Sequence, residues 1–467
     1  MLQSFGNLDR YIDQDIITTV EFEDKGEYLA TGDRGGRIVL FKREKKWSSH
    51  GGDVEATEGD GDGAAERNDE KLSSGYDYEW IPLYQFQSHV GEFDYLKSLE
   101  IEESISQIKF VQSAGCMQVL SCNDKTIKFW RIGQKCFRKY RPTNLSNKSE
   151  FTRRSYKADG TGAALSLPVF ETEHTELLAK PKAEFKNAHA YHINSLSPNS
   201  DGETFISADD LRVIWWNLEV HDHCFNMIDL KPINMEELKE VITSATFHPT
   251  HCSQLVYSTS LGVLRLVDTR DSALVDKAGL SFEMPESTNS FFSEVTSSIS
   301  DVTFSRCGKF LAARDYMTVK VWDVRTNREP VQTIEVQDNL KSCLSELYES
   351  DCIFDRFNVN FSADGKKVLT GSYDNKANVW RVSDGTLVTC HEISKGRSAL
   401  DMSTHSAASN SSTSSNPDGF SFPENGPPHN PRNLEVDVDK KILQTSWHPT
   451  MDVAAIAGQS CLYLYSC

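Results

Sequence analysis

The side chains that could do chemistry are few, and their spacing suits none of the common reactions. His221, His223 and Cys224 form the densest group of metal-capable residues, with His248, His251 and Cys252 a second. Neither group follows a recognised zinc spacing and both fall outside convincing strand cores, so incidental surface or loop placement is expected. Asp60 and Asp62 open a calcium-like register, but its sixth position is Ala65 instead of Gly and no Glu closes the twelfth. GxSxG, HExxH, CxxC, GxxxxGK[ST] and HRDxxxxN segments are all absent. GDRGG at 32–36 could bend around an anion, yet within a β pattern its glycines read as a tight hairpin turn. No catalytic residue, cofactor or metal is therefore expected.

The 467 residues carry 49 Lys and Arg against 68 Asp and Glu, a formal charge of −19. Such a surface repels polyphosphate backbones and favours a basic protein or peptide at long range, so nucleic acid is not an expected partner. No apolar run of 18 residues occurs, and the N-terminus lacks a basic region followed by an apolar one, which disfavours a membrane or secretory role. The cysteines, scattered from Cys116 to Cys467, read as thiols of a reducing compartment, the cytoplasm or nucleus.

What must position any functional residue is an uneven repeat: a polar turn, a β-rich run, a second turn with Asp, then a β-rich run ending in an aromatic. SADGKKVLTGSYDNKANVW at 362–380 and SRCGKFLAARDYMTVKVWDVR at 305–325 set the template. Other copies occur at 23–41, 119–130, 200–216, 248–268 and 448–465. Phe41, Trp130, Trp215, Val267, Trp322, Trp380 and Tyr465 then mark corresponding strands of seven units. A blade of about 40 to 45 residues fits inside each interval, leaving room for insertions. The expectation is an all-β, seven-bladed WD-repeat β-propeller spanning 1–467, its last blade completed by the stretch Gln3 to Leu8. Asp124, Asp210, Asp315 and Asp374 are expected as turn acceptors. The terminal Trp residues should pack between blades, with Trp216 pointing opposite to Trp215.

Segment 51–74 reads as an acidic flexible insertion; its residues 53–70 hold eight carboxylates and one Arg. Segment 394–433, dominated by Ser, Asn, Pro and Gly, reads as disordered. MEELKEVIT at 235–243 is expected to form a short helix. Together these features describe a protein-binding platform, with an enzyme as the minor alternative.

Particular segments sharpen this reading. FQSHVGEFDYLKSLEIEESISQIKF at 86–110, NAHAYHINSLSPNSDGETFISADDLRV at 187–213 and NMEELKEVIT at 234–243 resemble the 55-kDa, B-type regulatory subunit family of protein phosphatase 2A. SFFSEVTSSISDVTFS at 290–305, RDYMTVKVWD at 314–323 and LYESDCIFDRF at 347–357 extend the resemblance over almost the whole chain, in a plant-type form.

The resemblance implies a non-catalytic subunit that binds the helical-repeat scaffold of the phosphatase and, through it, the catalytic subunit, presenting phosphoproteins with basic or helical recognition segments. It implies a projecting, scaffold-binding hairpin at 86–103 that includes His89, Glu92, Phe93, Asp94, Tyr95, Leu96 and Lys97. It also implies a substrate-binding set: Asp13, Arg34, Tyr191, His192, Asp210, Leu238, Val241, Glu294, Tyr348, Asp351, Phe354 and Arg356. Asp13 stands where the family has Glu, and Arg34 and Arg356 where it has Lys. Leu238 and Val241, three apart on the expected helix, would share one side of it. A propeller adaptor of another complex is the alternative.

Overall fold

Short runs of branched and aromatic residues between Gly, Asp and Asn turns make sheets too small to stand alone, and stacking them radially covers both faces. The computed structural model describes residues 1–6, 11–45, 78–95, 98–112, 115–141, 169–272, 274, 279–283, 291–326, 329–393 and 436–467. It contains seven four-stranded antiparallel sheets arranged as a propeller. Blade one is Ile17–Phe22, Tyr28–Asp33, Arg37–Lys45 and Tyr78–Gln87; blade two is Gln107–Val111, Met117–Cys122, Ile127–Arg141 and Val169–Phe185. Blade three is Ser195–Pro198, Thr204–Ala208, Arg212–Asn217 and Cys224–Asp229; blade four is Ile242–Phe247, Gln254–Thr259, Leu264–Asp268 and Leu280–Phe282. Blade five is Asp301–Phe304, Phe310–Arg314, Thr318–Asp323 and Gln332–Glu335; blade six is Val359–Phe361, Lys367–Gly371, Lys376–Arg381 and Leu387–Glu392. Blade seven takes Thr445–Trp447, Val453–Gly458 and Cys461–Ser466 from one end of the chain and Gln3–Phe5 from the other. The expected insertions at 51–74 and 394–433, and Asn7 and Leu8 of the closing stretch, lie outside the described residues.

Each seam between blades has its own apolar cluster. Ile38, Leu40, Ile108, Phe110 and Trp130 join blades one and two, while Val213, Ile228, Ile242 and Phe247 join three and four. Val20, Phe22, Leu462 and Leu464 close seven onto one. Burial of this kind contributes roughly 25 cal/mol per Å² of apolar area. The closing strand is stapled as well as paired: Ser4 lies opposite Tyr463, and the Phe5 ring sits 4.8 Å from Phe41 of blade one. The Gln3 side chain donates to the Trp80 carbonyl (3.2 Å) and accepts from the Trp80 N–H (2.7 Å).

Polar side chains also cross the seams. The Ala245 N–H donates to Ser195 Oγ (2.9 Å), the Val359 N–H to Asp301 Oδ2 (3.0 Å), and the Thr445 N–H to Asn358 Oδ1 (3.0 Å). Two histidines act as latches at the opposite end of the ring from the docking face described below. His448 Nδ1 accepts from the backbone N–H groups of Thr450 (3.1 Å) and Met451 (3.0 Å), which leaves Nε2 to donate to the Gly26 carbonyl (2.9 Å). His248 repeats the arrangement toward Gly308 (3.1 Å). Gly26 and Gly308 have φ of +70° and +71°, and a Cβ on either would run into the imidazole. His248 thus lies in a loop, as expected, but is buried at the seam, which corrects the expectation that its placement is incidental.

Blade three holds a buried polar chain. His189 Nδ1 lies 2.9 Å from Asp209 Oδ2, His189 Nε2 lies 2.6 Å from Ser207 Oγ, and the Trp216 indole N–H donates to Ser207 Oγ (2.8 Å). Trp216, 4% exposed, therefore packs the seam, whereas Trp215 is 40% exposed. The expected assignment of Trp215 to the packing position is corrected by one residue, although the two do point apart. The turn acceptors shift likewise. Asp315 Oδ1 accepts from the Met317 N–H (2.9 Å) as expected, but in blade three the acceptor is Asp209, and in blade two it is Asn123. Asp374 spans a different gap, accepting from the Asp437 N–H (2.7 Å).

Two outcomes follow. Trp216→Ala should cost about 3–5 kcal/mol and lower the melting temperature far more than Trp215→Ala; the reverse order would contradict this register. Burial, with Arg43 nearby, pushes the His448 pKa from its ordinary 6.5 down to about 4. The folded ring stays neutral while the unfolded one protonates near 6.5, so its stabilisation is complete above pH 6.5 and drains as pH falls toward 4. The stability gap between the parent chain and His448→Gln should narrow over that window in pH-dependent thermal denaturation.

Candidate protein-docking face

In every blade the chain runs from inner to outer strand with antiparallel neighbours. The connection into each first strand and the turn between second and third strands must then open at the same end of the ring. All twelve residues of the expected substrate-binding set sit on such connections, so the topology gathers them on one face.

The densest part of that face lies over blades five and six. The helix Phe291–Ser297 carries Glu294, and the helix Leu344–Glu349 carries Tyr348. The Tyr348 ring lies 5.5 Å from Phe291 and 5.9 Å from Phe354, with Phe354 56% exposed. Asp351, at φ +57°, turns the chain between Tyr348 and Phe354. The side chains of Glu294 and Asp351 are exposed and make no hydrogen bond or ion pair among the described residues. Aromatic area beside uncommitted carboxylates is a surface suited to an apolar segment flanked by Lys or Arg. Phe291 belongs to this cluster and does not stand out in the sequence; its position three before Glu294 on a helix is the signal that could have found it.

The remaining positions lie in other sectors of the same face. Asp209 performs the turn in blade three, which leaves the Asp210 carboxylate without a partner among the described residues. The Asp210 carbonyl accepts from the Ile242 N–H (2.7 Å), which sets Asp210 beside Val241. The expected helix over 235–243 is corrected. Only a single 3₁₀ turn, Met235–Glu237, forms, capped by Asn234, and Leu238 and Val241 lie beyond it, both half-buried. The helix stops because Ile242–Phe247 is taken up as the inner strand of blade four, a role its β-branched residues favour. Leu238 and Val241 thus do not share a helix side. Tyr191 is exposed, and His192 Nδ1 lies 3.1 Å from Asp124 Oδ2. Arg34 Nη1 pairs with both Asp13 oxygens at 2.7 Å. The turn that carries Arg34 is the expected tight hairpin, with Gly36 at φ +78°.

Arg356 lines the mouth of a polar central channel of about 280 Å³. The channel also holds the Lys109–Glu21 ion pair (2.9 Å) and Asp301, whose carboxyl is pushed up to about 6 by burial. Among the described residues no group of three or more His, Cys, Asp or Glu side chains is arranged to hold a metal ion.

Among the described residues, two hairpins leave the ring. Glu92–Asp94 pairs with Leu99–Ile101 on the docking-face side; Phe93 and Tyr95 meet edge-on at 5.0 Å, and Tyr95 is 86% exposed. His89 at its base is 1% exposed, with its pKa pushed down to about 3 by burial, and so it braces the hairpin and presents no surface to a partner. Leu96 and Lys97 lie outside the described residues. The second hairpin has no counterpart among the expectations from sequence. Ile127–Arg141 pairs with Val169–Phe185, but only Ile127 to Ile132 also pair inward with Met117–Cys122. Beyond Ile132 a two-stranded ribbon therefore continues past its blade, at the end opposite the docking face. Phe137 stacks on His174 there at 4.6 Å.

Seven up-and-down blades, with the candidate residues on the loops of one face, define a WD-repeat β-propeller. A family model for "WD domain, G-beta repeat" matches residues 179–217, 286–323 and 342–381, which fall on blades three, five and six. The chain is 43% identical to a B-type regulatory subunit of protein phosphatase PP2A from Schizosaccharomyces pombe, over 99% of its own length and 95% of the relative's. It is 42% identical to the beta isoform of the B-type 55 kDa regulatory subunit of serine/threonine protein phosphatase 2A from Arabidopsis thaliana, over 97% and 92%. The chain belongs to the B-type regulatory subunit family of protein phosphatase 2A. The fungal and plant identities are nearly equal, so they do not single out a plant type.

Proposed function

We propose that the chain is the substrate-recruiting subunit of a protein phosphatase 2A serine/threonine phosphatase, bound to the helical-repeat scaffold and, through it, to the catalytic subunit. The observation that carries this reading is the exposed aromatic edge Phe291, Tyr348 and Phe354, flanked by the uncommitted carboxylates of Glu294 and Asp351. A phosphoprotein segment with an apolar face and neighbouring Lys or Arg would seat there, while Asp210 offers a second anchor across the face. The chain supplies no nucleophile. It orients phosphoserine or phosphothreonine toward the catalytic subunit, where it raises their local concentration. Eleven free thiols support a reducing setting, cytoplasm and nucleus, for this work.

The 86–103 hairpin is proposed as the grip on the scaffold, through Phe93 and Tyr95 with Glu92 and Asp94. A specific observation favours a second assignment: the ribbon beyond Ile132 is much longer and stands away from the substrate face. In a pull-down with the purified scaffold, Phe93→Ala with Tyr95→Ala should reduce capture if the short hairpin is the grip. Unchanged capture, combined with loss in Phe137→Ala, would transfer the role to the ribbon.

Glu294→Lys with Asp351→Lys should weaken binding of a basic-flanked phosphopeptide to the assembled complex by about tenfold or more. Assembly and turnover of a small generic phosphate ester should stay at parent levels. Equal peptide affinity in competition binding would defeat the docking assignment.

A further inference from the structure

The turn that carries Asp351 and Phe354 is a single 3₁₀ turn, Cys352–Phe354, with no side-chain cap at its start. So short an element has almost no stability of its own. Its position comes from below. The Tyr373 hydroxyl lies 2.9 Å from the Cys352 carbonyl and 2.9 Å from Asp355 Oδ2, so it can donate to either end of the turn. The Tyr316 hydroxyl lies 2.9 Å from the Tyr373 hydroxyl, and with Tyr373 donating onward, Tyr316 donates to it. On the other side Lys441 Nζ donates to Asp355 Oδ1 (2.6 Å).

These four side chains come from separate parts of the ring. Tyr316 and Tyr373 sit in the second-to-third-strand turns of blades five and six; Asp355 lies on the connection between those blades, and Lys441 on the connection into blade seven. Just beneath, Phe357 stands edge-on to Tyr373 at 5.2 Å, with the Arg314 guanidinium 5.5 Å from its ring centre. Arg314 is fully buried, and its Nε, Nη1 and Nη2 have no hydrogen-bond partner among the described residues. The Asp315 carboxylate and the face of Phe357 together compensate that cation, and the ring contact helps hold the end of the loop in place. The loop is thereby pinned at one end by packing and at the other by the phenol and carboxylate chain.

We propose that Lys441, Asp355, Tyr373 and Tyr316 form a positioning network that sets the geometry in which Asp351 and Phe354 meet a docked peptide, and so tunes affinity without touching it. The inference rests on the docking reading above and deepens it. Three blades contribute to the network, so the docking edge takes its shape only when the seams between blades five, six and seven are closed. Lys441 is an accessible handle, since its side chain is partly exposed.

The test uses the full chain and, as probe, a fluorescein-labelled amphipathic peptide with two arginines beside a phosphoserine. Lys441→Met removes one hydrogen bond of the network and Tyr373→Phe removes the bonds the Tyr373 hydroxyl accepts and donates, and each should weaken anisotropy-measured binding about fivefold. Lys441→Arg should restore affinity to near the parent value. Amide exchange should quicken at 351–355 in the two weakened variants, with the blade strands and the melting temperature as in the parent. Glu294→Lys with Asp351→Lys serves as the control on docking itself. If that control loses binding while Lys441→Met and Tyr373→Phe bind like the parent, the network is overturned and the docking reading stands. If the control also binds like the parent, the docking reading falls and the network with it. Weakening that Lys441→Arg does not restore, or that follows a lowered melting temperature, would reduce these residues to general stability and overturn the positioning role.

Discussion

Closure of the ring at blade seven is the interaction on which the rest depends. A four-stranded sheet of this size cannot bury two apolar faces unless each is covered by a neighbour. Blade seven draws three strands from Thr445 onward and the fourth from Gln3–Phe5, so the two ends of the chain must meet before the last faces are covered. Phe5 against Phe41, and the paired hydrogen bonds between Gln3 and Trp80, make that strand part of blade one's environment as well. The histidine latch from His448 to Gly26 ties the same seam close by, with the His448 ring 6.2 Å from that of Trp80. Such non-local pairing is slow to form and, once formed, covers the edge of Cys461–Ser466 and leaves only a short outer strand.

A closed ring frees its connections to diverge. The strands carry the packing, so the loops entering each first strand can hold side chains that do nothing for stability and remain open to a partner. Blade three illustrates the division within two adjacent residues: Asp209 is committed to His189 and to the turn, while the carboxylate of the half-buried Asp210 has no partner among the described residues. Over blades five and six the same division separates a buried layer, including Tyr316, Phe357 and Tyr373, from the exposed Tyr348 and Phe354 above it. The net acidity of the chain adds long-range attraction for basic segments, while the aromatic edge supplies short-range area.

Much of this was legible in the residues. Seven blades, their third strands and the closing N-terminal strand follow from spaced β-rich runs and turn residues, because strand periodicity is a local signal. The failures are equally local. The adjacent pairs Trp215–Trp216 and Asp209–Asp210 each offer two candidates for one role, and only the pairing register chooses between them. MEELKEVIT has helix-forming residues at its start, but its Ile–Thr end belongs to a strand held by Asp210 and its neighbours. His248 is a loop residue, as read, but its seam role was hidden because its partner, Gly308, is distant in sequence. The ribbon beyond Ile132 escaped notice because its charged strands lack an alternating apolar face, having no blade to pack against. The residues proposed for docking were reached only through family likeness: loops have no periodicity to read, and Phe291 was missed for that reason.

The most direct measurement is amide hydrogen exchange of the full chain with and without a saturating basic-flanked phosphopeptide. The account predicts protection at 291–297, at 344–356 and at the connections 209–211 and 230–241, with blade strands unchanged. Protection confined to the opposite end of the ring, or to the long ribbon, would contradict it.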